Sequence, residues 1–317
     1  MPMSYGRRPP PPPRRRESDR TYMVRRLMVL GTLLAAVWLV WSAAGSLFGS
    51  GDGEAAPITP AVSTIVNDGI TPTTLPAPST TEPPPLERKA PTPEDPADVL
   101  ILGDSDAGAF GPYLQALLGQ TGMINVQLDY KTSSGLARPD FFDWPTHMRE
   151  EVPQFNPEIV VVTFGGNDAQ GLRNVDGEWA VDHPPASGAD DADWKAEYGR
   201  RVGEAMDYLS SNNRTVVWVG IPNAESTETT ARMKVQDEVV RAEVAKRSGK
   251  VLFVDTWARF SGRNGNYAEY VIDPRDGVGK DVRADDGFHL NVNGAEILAL
   301  DIAEVVKNDL RSYGATF

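Results

Sequence analysis

The sequence predicts a three-layer α/β/α domain with a parallel sheet, preceded by a basic tail, one transmembrane helix and a disordered linker. Three observations lead to this prediction. Residues 27–48 form an uncharged apolar run, residues 49–96 contain eleven prolines, and the chain from residue 97 alternates short apolar runs with longer amphipathic stretches. Such alternation is typical of strands joined by helices that pack on both faces of one sheet.

The first 26 residues are predicted to be a disordered cytoplasmic tail. They are rich in proline, carry eight arginines against two carboxylates and have too few apolar side chains to form a core. The net charge of the whole chain is −13, so the body that follows this basic tail is strongly acidic. An acidic body argues against nucleic acid as a partner.

Residues 27–48 are predicted to anchor the protein in the cell membrane. This run, LMVLGTLLAAVWLVWSAAGSLF, has no charge over 22 positions, and a helix of that length crosses a hydrocarbon core of about 30 Å. Because the arginines precede it, the positive-inside rule places the N-terminus in the cytoplasm and the C-terminal domain outside. A cleaved signal peptide is the alternative, although its apolar region is typically shorter.

Residues 49–96 are predicted to be a Pro/Thr-rich linker that carries the domain of residues 97–317 above the membrane. The chain has no cysteine, so disulfides, thiolate chemistry and cysteine-held zinc are excluded. The sequence contains no glycine-rich phosphate loop and no set of metal ligands, so no cofactor or metal is expected.

Five apolar runs of the domain are predicted strands. Their continuous apolar character is typical of parallel strands that are buried on both faces. The predicted strands cover residues 99–102, 124–128, 159–164, 216–220 and 251–254, and the predicted helices lie around residues 110–118, 194–209, 229–246 and 294–310. Residues 172–193 are predicted to be an inserted loop.

Four short polar segments follow the predicted strands or precede the last predicted helix. Ser105 follows the first strand, Gly135 follows the second, and the segment GGND at 165–168 follows the third. Asp286 and His289 precede the last helix. Because ligands bind beyond the carboxyl ends of the strands in an open parallel sheet, we expect these segments to converge.

The residue types in these segments suit a serine hydrolase. Ser105 becomes a nucleophile when a base removes its proton, and His289 is the best placed of the three histidines in the chain. Asp286 could orient the imidazole of His289, with the adjacent Asp285 as an alternative. The side-chain amide of Asn167 could donate to the oxyanion of a tetrahedral intermediate.

Each segment also has a simpler explanation when it is taken alone. Ser105 and its acidic neighbours could cap a helix, and the Asn167-Asp168 pair is common in turns. A lone histidine is more often structural than catalytic. The occurrence of all four segments in the required order favours the catalytic interpretation.

Two further groups are weaker candidates. Trp144 and Trp179 could form a sugar platform, although a core or loop-anchoring role is favoured for each. Asp140 and Asp143 lie close to Gly135 in the sequence and could line the pocket.

The set of GDS at 103–105, Gly135, GGND at 165–168 and DxxH at 286–289 resembles the four blocks of SGNH (GDSL-like) hydrolases. The resemblance spans about residues 97–311, and SSGLARPDFFDWP, GGNDAQ and VRADDGFHL are similar to an envelope-associated bacterial branch of unknown function. It implies a flavodoxin-like fold without cofactor.

The resemblance also implies a role for each matching residue. Ser105 is the implied nucleophile, His289 its base and Asp286 the residue that orients the base. The N–H groups of Ser105 and Gly135 and the side chain of Asn167 form the implied oxyanion hole. The implied supporting residues are Asp104, Gly166 and Asp168.

Together these observations predict a membrane-anchored serine esterase that removes acyl groups, with acetyl favoured, from a cell-envelope glycan. An O-acyltransferase would use the same acyl-enzyme and differs only in whether water or a sugar hydroxyl accepts the acyl group. The sequence also leaves open a non-catalytic binding module and a lipase. The substrate is therefore predicted only as an acylated glycan or another ester.

Overall fold

The structure, a computed structural model, describes residues 85–317, so the predicted tail, the predicted anchor and most of the predicted linker lie outside the described residues. Between residues 85 and 317, no helix is long and apolar enough to cross a membrane. The end of the predicted linker packs against the domain. The N–H of Leu86 donates to the carbonyl of Asn212, and Arg88 forms an ion pair with Asp309.

Strands and helices alternate along the described chain. The strands are β1 (Ala97–Gly103), β2 (Ile124–Tyr130), β3 (Ile159–Thr163), β4 (Leu172–Arg173), β5 (Trp179–Val181), β6 (Thr215–Val219), β7 (Val251–Val254), β8 (Tyr270–Ile272) and β9 (Gly279–Asp281). The helices are α1 (Ser105–Gly119), α2 (Trp144–Phe155), α3 (Ala192–Leu209), α4 (Thr227–Lys246), α5 (Thr256–Arg259) and α6 (Val292–Ser312).

Five parallel strands form the central sheet in the order β2-β1-β3-β6-β7. All five residues of β3 and of β6 are buried, as the continuous apolar runs predict. The prediction of a parallel-sheet α/β fold is therefore confirmed, and the strand order is that of flavodoxin-like proteins.

Helices cover both faces of this sheet and complete the three layers. Because successive strand residues point to opposite faces, Ile101 and Val161 pack beneath α1 and α6, whereas Leu102 and Val162 pack beneath α2, α3 and α4. The strand order makes β1 and β3 neighbours near the middle of the sheet. The segments that follow these two strands therefore emerge side by side, which is where a ligand site is expected.

Several elements differ from the sequence-based prediction, and α5 and the β8–β9 hairpin are among those not predicted. Helix α1 begins at Ser105, five residues before the predicted start, because Gly108 and Gly111 obscure a helical pattern. Both glycines let α1 approach β2: a Cβ at Gly108 would lie 2.5 Å from the ring of Tyr130. Helix α2 was not predicted, and the predicted loop at 172–193 contains the β4–β5 hairpin.

Candidate active site

The nucleophile candidate Ser105 occupies the first position of α1, directly after β1. Gly103 has a φ of +150°, and a Cβ there would lie 2.3 Å from the carbonyl oxygen of Thr163, so only glycine fits this close approach of β1 and β3. Asp104 caps α1 by accepting a hydrogen bond from the N–H of Asp106 at 3.0 Å. Capping therefore belongs to Asp104, which leaves the Ser105 hydroxyl free for another partner.

That partner is His289. The Oγ of Ser105 lies 3.0 Å from Nε2 of His289, and Nδ1 of the same ring lies 2.6 Å from Oδ2 of Asp286. The other oxygen of Asp286 accepts the N–H groups of Phe288 and His289. Burial alone would raise the pKa of Asp286, but these hydrogen bonds hold it below its usual value, so the carboxylate stays ionised beside the imidazole.

The other candidates for base and acid lie elsewhere. His147, on α2, pairs with Asp129 at 2.6 Å, and His183 lies beside Asp193. Asp285 is exposed and makes no hydrogen bond to the imidazole. Among the described residues, the geometry therefore selects His289 and Asp286.

Replacing Asp286 by asparagine is expected to lower kcat by up to about 10⁴-fold, because the amide cannot stabilise the imidazolium that forms during proton transfer. The effect is smaller than for a buried carboxylate, since the Asp286 side chain is 50% exposed and water can partly replace it. Asp285→Asn is the matched control and should retain full turnover. Equal losses in both variants would contradict the assignment of Asp286.

The proposed oxyanion donors converge on the same region. Asn167 lies in the short 3₁₀ turn of Gly166–Asp168 that follows β3, and its Nδ2 donates to Oδ2 of Asp104 at 3.2 Å. The same oxygen accepts the N–H of Gly165 at 2.7 Å. One buried carboxylate therefore joins the nucleophile segment to the amide segment. It also fixes the Asn167 amide while leaving its second N–H available.

Asp168 holds the loop that carries Gly135. Its buried carboxylate accepts the N–H groups of Leu136 and Ala137 at 2.9 and 2.8 Å and the hydroxyl of Tyr198 at 2.9 Å. A Cβ at Gly135 would lie 2.0 Å from Oδ1 of Asp168, so this loop closes on the carboxylate only with glycine there. Asp168 thus supports the position of the Gly135 N–H without reaching the reacting atoms.

The pKa of Asp168 provides a test of this burial. Burial raises the pKa from its ordinary value of 3.8 to about 6, against the hydrogen bonds that lower it. The folded protein therefore binds this proton more tightly than the unfolded chain, and the associated stabilisation is lost as the pH rises through about 6. Relative to Asp168→Asn, the wild-type protein should gain roughly 3 kcal/mol in the free energy of unfolding between pH 7 and pH 3.5.

Urea unfolding of both proteins at several pH values measures this difference. The pH dependence of the difference reports on Asp168 together with Asp104, because the charge of Asp168 helps to raise the pKa of Asp104. A difference that stays constant with pH would contradict a raised pKa.

The segment that carries His289 is held by a buried arginine that sequence reasoning missed. The guanidinium of Arg283 donates to the carbonyls of Phe288, Phe260 and Ala268 and to the side chain of Asn223. Burial lowers the pKa of Arg283 to about 10, so it remains charged at neutral pH. No sequence pattern distinguishes this buried arginine from an arginine on the surface, so the sequence did not reveal its role.

The segment that carries His289 contacts the turn that carries Asn167 where Phe288 packs against Gly166. A Cβ at Gly166 would lie 2.9 Å from Cζ of Phe288, the residue before His289. Glycine at this position therefore lets the histidine segment pack directly on the Gly166–Asp168 turn.

Asp106 is a second residue whose place in the site the sequence did not reveal. Burial raises its pKa, while the charges of His289 and Arg283 act in the opposite direction. A Cβ at Gly165 would lie 2.2 Å from the Oδ2 of Asp106 and 3.1 Å from that of Asp104. A second, half-buried carboxyl group thus lies close to that of Asp104.

Two cavities are lined by residues that adjoin the candidate site residues in the sequence. A cavity of about 500 Å³ between α2 and α3 is lined by Asp143, Tyr208 and Leu136, among others, but by none of the triad. The cavity beside Asp106 measures about 10 Å³, room for about one water molecule. The pocket candidate Asp140 instead pairs with Arg138.

The two candidate tryptophans for a sugar platform differ in their exposure to solvent. Trp144 is completely buried and donates from Nε1 to Oγ of Ser134 at 2.8 Å, so it is a core residue. Trp179 is 47% exposed on the β4–β5 hairpin.

A serine, an imidazole and a carboxylate in hydrogen-bonded series, next to an amide and free backbone N–H groups, can carry out acyl transfer through a serine ester. Serine hydrolases use such a series of side chains to cleave esters. The chain belongs to the family described as protein of unknown function (DUF459), whose model matches residues 98–305. A family of unknown function is what the sequence resemblance predicts, and the hydrogen bonds among Ser105, His289 and Asp286 are those that an SGNH hydrolase requires.

Several solved structures are similar to this chain. One is a GDSL-like lipase from Bacteroides thetaiotaomicron, with 15% identity, coverage of 69% of this chain and 92% of that chain, and a TM-score of 0.46. Another is a catalytic mutant of Axe2, an acetylxylan esterase from Geobacillus stearothermophilus, with 18% identity, 69% and 95% coverage and a TM-score of 0.46.

A third is the psychrotrophic esterase EstA from Pseudoalteromonas sp., with 12% identity, coverage of 68% of this chain and 98% of that chain, and a TM-score of 0.44. No curated protein matches the sequence.

Proposed function

We propose that this protein is a serine esterase that removes acetyl groups from a glycan of the cell envelope. The observation that carries the proposal is the series of hydrogen bonds from Ser105 through His289 to Asp286. Nε2 of His289 takes the proton of the Ser105 hydroxyl as its oxygen attacks the ester carbonyl. The same proton passes to the departing sugar hydroxyl, and water then hydrolyses the acetyl-serine by the reverse sequence of proton transfers.

The negative charge that develops on the carbonyl oxygen is proposed to be stabilised by the N–H groups of Ser105 and Gly135 and by the amide of Asn167. Ser105 is the first residue of α1, so its N–H has no partner within the helix. Asp104 and Asp168 hold these donors in place before the substrate arrives, and such preorganisation lowers the barrier for the reaction.

Neither the cavity of about 10 Å³ beside Asp106 nor the cavity of about 500 Å³ is lined by Ser105 or His289, so neither offers the serine a pocket for a long acyl chain. This favours a short acyl group. The His289 side chain is 36% exposed, which suits a large substrate that approaches from solvent.

The test is acetate release from O-acetylated oligosaccharides and from aryl acetates by the purified full-length protein in the presence of a metal chelator. We expect release from both, with no acetyl transfer to added sugar. Transfer to an acceptor sugar would identify the O-acyltransferase, and complete loss of turnover with chelator would contradict a metal-independent serine mechanism. Absence of both turnover and fluorophosphonate labelling would identify a binding module.

The proposed location is the outer face of the cell membrane, with residues 27–48 as anchor. It rests on the uncharged apolar run that follows eight arginines. Protease added to intact cells should cut the 49–96 segment and release the domain. A protected segment, or a mature chain that begins near Ala44 in the culture medium, would contradict the anchor.

A further inference from the structure

The β4–β5 hairpin is fixed to both segments of the proposed oxyanion site. The N–H of Arg173 donates to the carbonyl of Ala137, two residues after Gly135, at 3.0 Å. Gln170, two residues before β4, donates its N–H to the carbonyl of Asp168 at 2.8 Å in a tight turn. The hairpin is therefore bonded to the Gly135 loop and joined to the Asn167 turn by a short connection.

Trp179 is held rigidly on this hairpin. The guanidinium of Arg173 lies 3.6 Å from the centroid of the indole ring, in cation–π contact, and donates to the carbonyl of Gly177. The ring edge lies over Gly171, where a Cβ would be 2.8 Å from Cζ3. With Arg173 on one face and Gly171 at the edge, the exposed 47% of Trp179 belongs largely to the opposite face.

A rigid, half-exposed indole is a suitable platform for a sugar ring. The flat C–H face of a pyranose packs against an aromatic ring while its hydroxyls stay solvated, and a preordered ring loses little conformational entropy on binding. The hairpin also carries the carboxylates of Asp176, Glu178 and Asp182 against the one cation of Arg173. The net negative charge of the hairpin disfavours binding of a polyanionic glycan and favours binding of an uncharged sugar.

We propose that the exposed face of Trp179 binds an uncharged sugar residue of the glycan substrate, at a position along the chain from the ester that Ser105 attacks. The inference rests on the proposed function. Gly171, at the edge of the ring, follows Asn167 by four residues, so their Cα atoms are at most about 14 Å apart. An oligosaccharide of a few residues can therefore reach both, whereas a small aryl acetate reaches only the triad.

The first test compares Trp179→Ala with Tyr270→Ala in the full-length protein. Tyr270 is a matched control because it is an aromatic residue, 61% exposed, on the β8–β9 hairpin. With O-acetylated neutral oligosaccharides of one to six residues, Trp179→Ala should lower kcat/KM about tenfold on the longer members. Its kcat/KM on an aryl acetate should stay within about twofold of wild type, and Tyr270→Ala should match wild type on both.

The second test measures binding without turnover. In a Ser105→Ala background, isothermal titration calorimetry with the deacetylated oligosaccharides should show saturable binding, which Trp179→Ala should weaken about tenfold. Trp179→Phe keeps an aromatic face and should retain part of the preference for longer oligosaccharides, which separates stacking from a folding defect.

The outcomes separate this inference from the proposed function. If no ester is cleaved, the proposed function fails, while the calorimetric titration still decides the role of Trp179. If the oligosaccharides do not bind, or bind Trp179→Ala as well as the parent, the platform is wrong whatever the esterase activity. An equal loss of kcat/KM on aryl acetate and oligosaccharide would also overturn it.

Discussion

Replacing Ser105 by alanine is expected to lower ester turnover by about 10⁶-fold, the scale on which serine hydrolases respond to loss of the nucleophile. Without the hydroxyl no acyl-serine forms, so fluorophosphonate labelling should disappear with the activity. The fold should be unaffected, because Asp104, not Ser105, caps α1. Alanine is also a favourable residue in a helix.

The measurements are initial rates on an aryl acetate, labelling followed by mass spectrometry, and thermal unfolding. Ser312→Ala, at the exposed end of α6, is the matched control and should behave as wild type. Turnover by Ser105→Ala above about one-hundredth of the wild-type rate would exclude Ser105 as the nucleophile.

Replacing Asn167 by alanine is expected to lower kcat by about 10²- to 10³-fold with little change in KM. The amide acts on the charge that develops in the transition state, so its loss costs roughly 2.7–4 kcal/mol there and almost nothing in the bound substrate. Ser105 and His289 keep their contact, so fluorophosphonate labelling of Ser105 should persist.

Steady-state kinetics on an aryl acetate separates kcat from KM, and Asn308→Ala, on the exposed side of α6, is the control. Asn167 also donates to Asp104, so a thermal unfolding measurement must show that the variant remains folded. Wild-type turnover by Asn167→Ala would show that the oxyanion assignment is wrong. A rise in KM at constant kcat would instead indicate a role in substrate binding.

The sequence was sufficient to predict the central sheet because its strands are buried on both faces. The predicted strand at 251–254 has the observed bounds, and those at 159–164 and 216–220 differ by one residue at their ends. Helix α2 escaped prediction because Pro145 and Pro153 interrupt its pattern, although Asp143 caps it and a proline at the start of a helix is favourable. The hairpins are too short for their periodicity to be visible.

The site was predictable where its chemistry requires a particular residue type in a fixed order. Ser105 and Asn167 lie together because the segments after parallel strands share one edge of the sheet, and the segment before α6 brings Asp286 and His289 to the same place. The residues that position them were not predictable. Arg283 and Tyr198 act through burial, which depends on contacts between segments far apart in the chain.

The position of His289 outside the sheet has a consequence for how the enzyme would lose activity. The segment that carries His289 belongs to no strand of the central sheet and is held by hydrogen bonds from Arg283. Ser105 and Asn167, by contrast, follow the central strands β1 and β3. Local opening of such a peripheral segment requires less free energy than global unfolding. In rising denaturant, hydrolysis should therefore cease while the sheet is still intact, and hydrogen exchange should be faster at residues 284–289 than in β1 or β3.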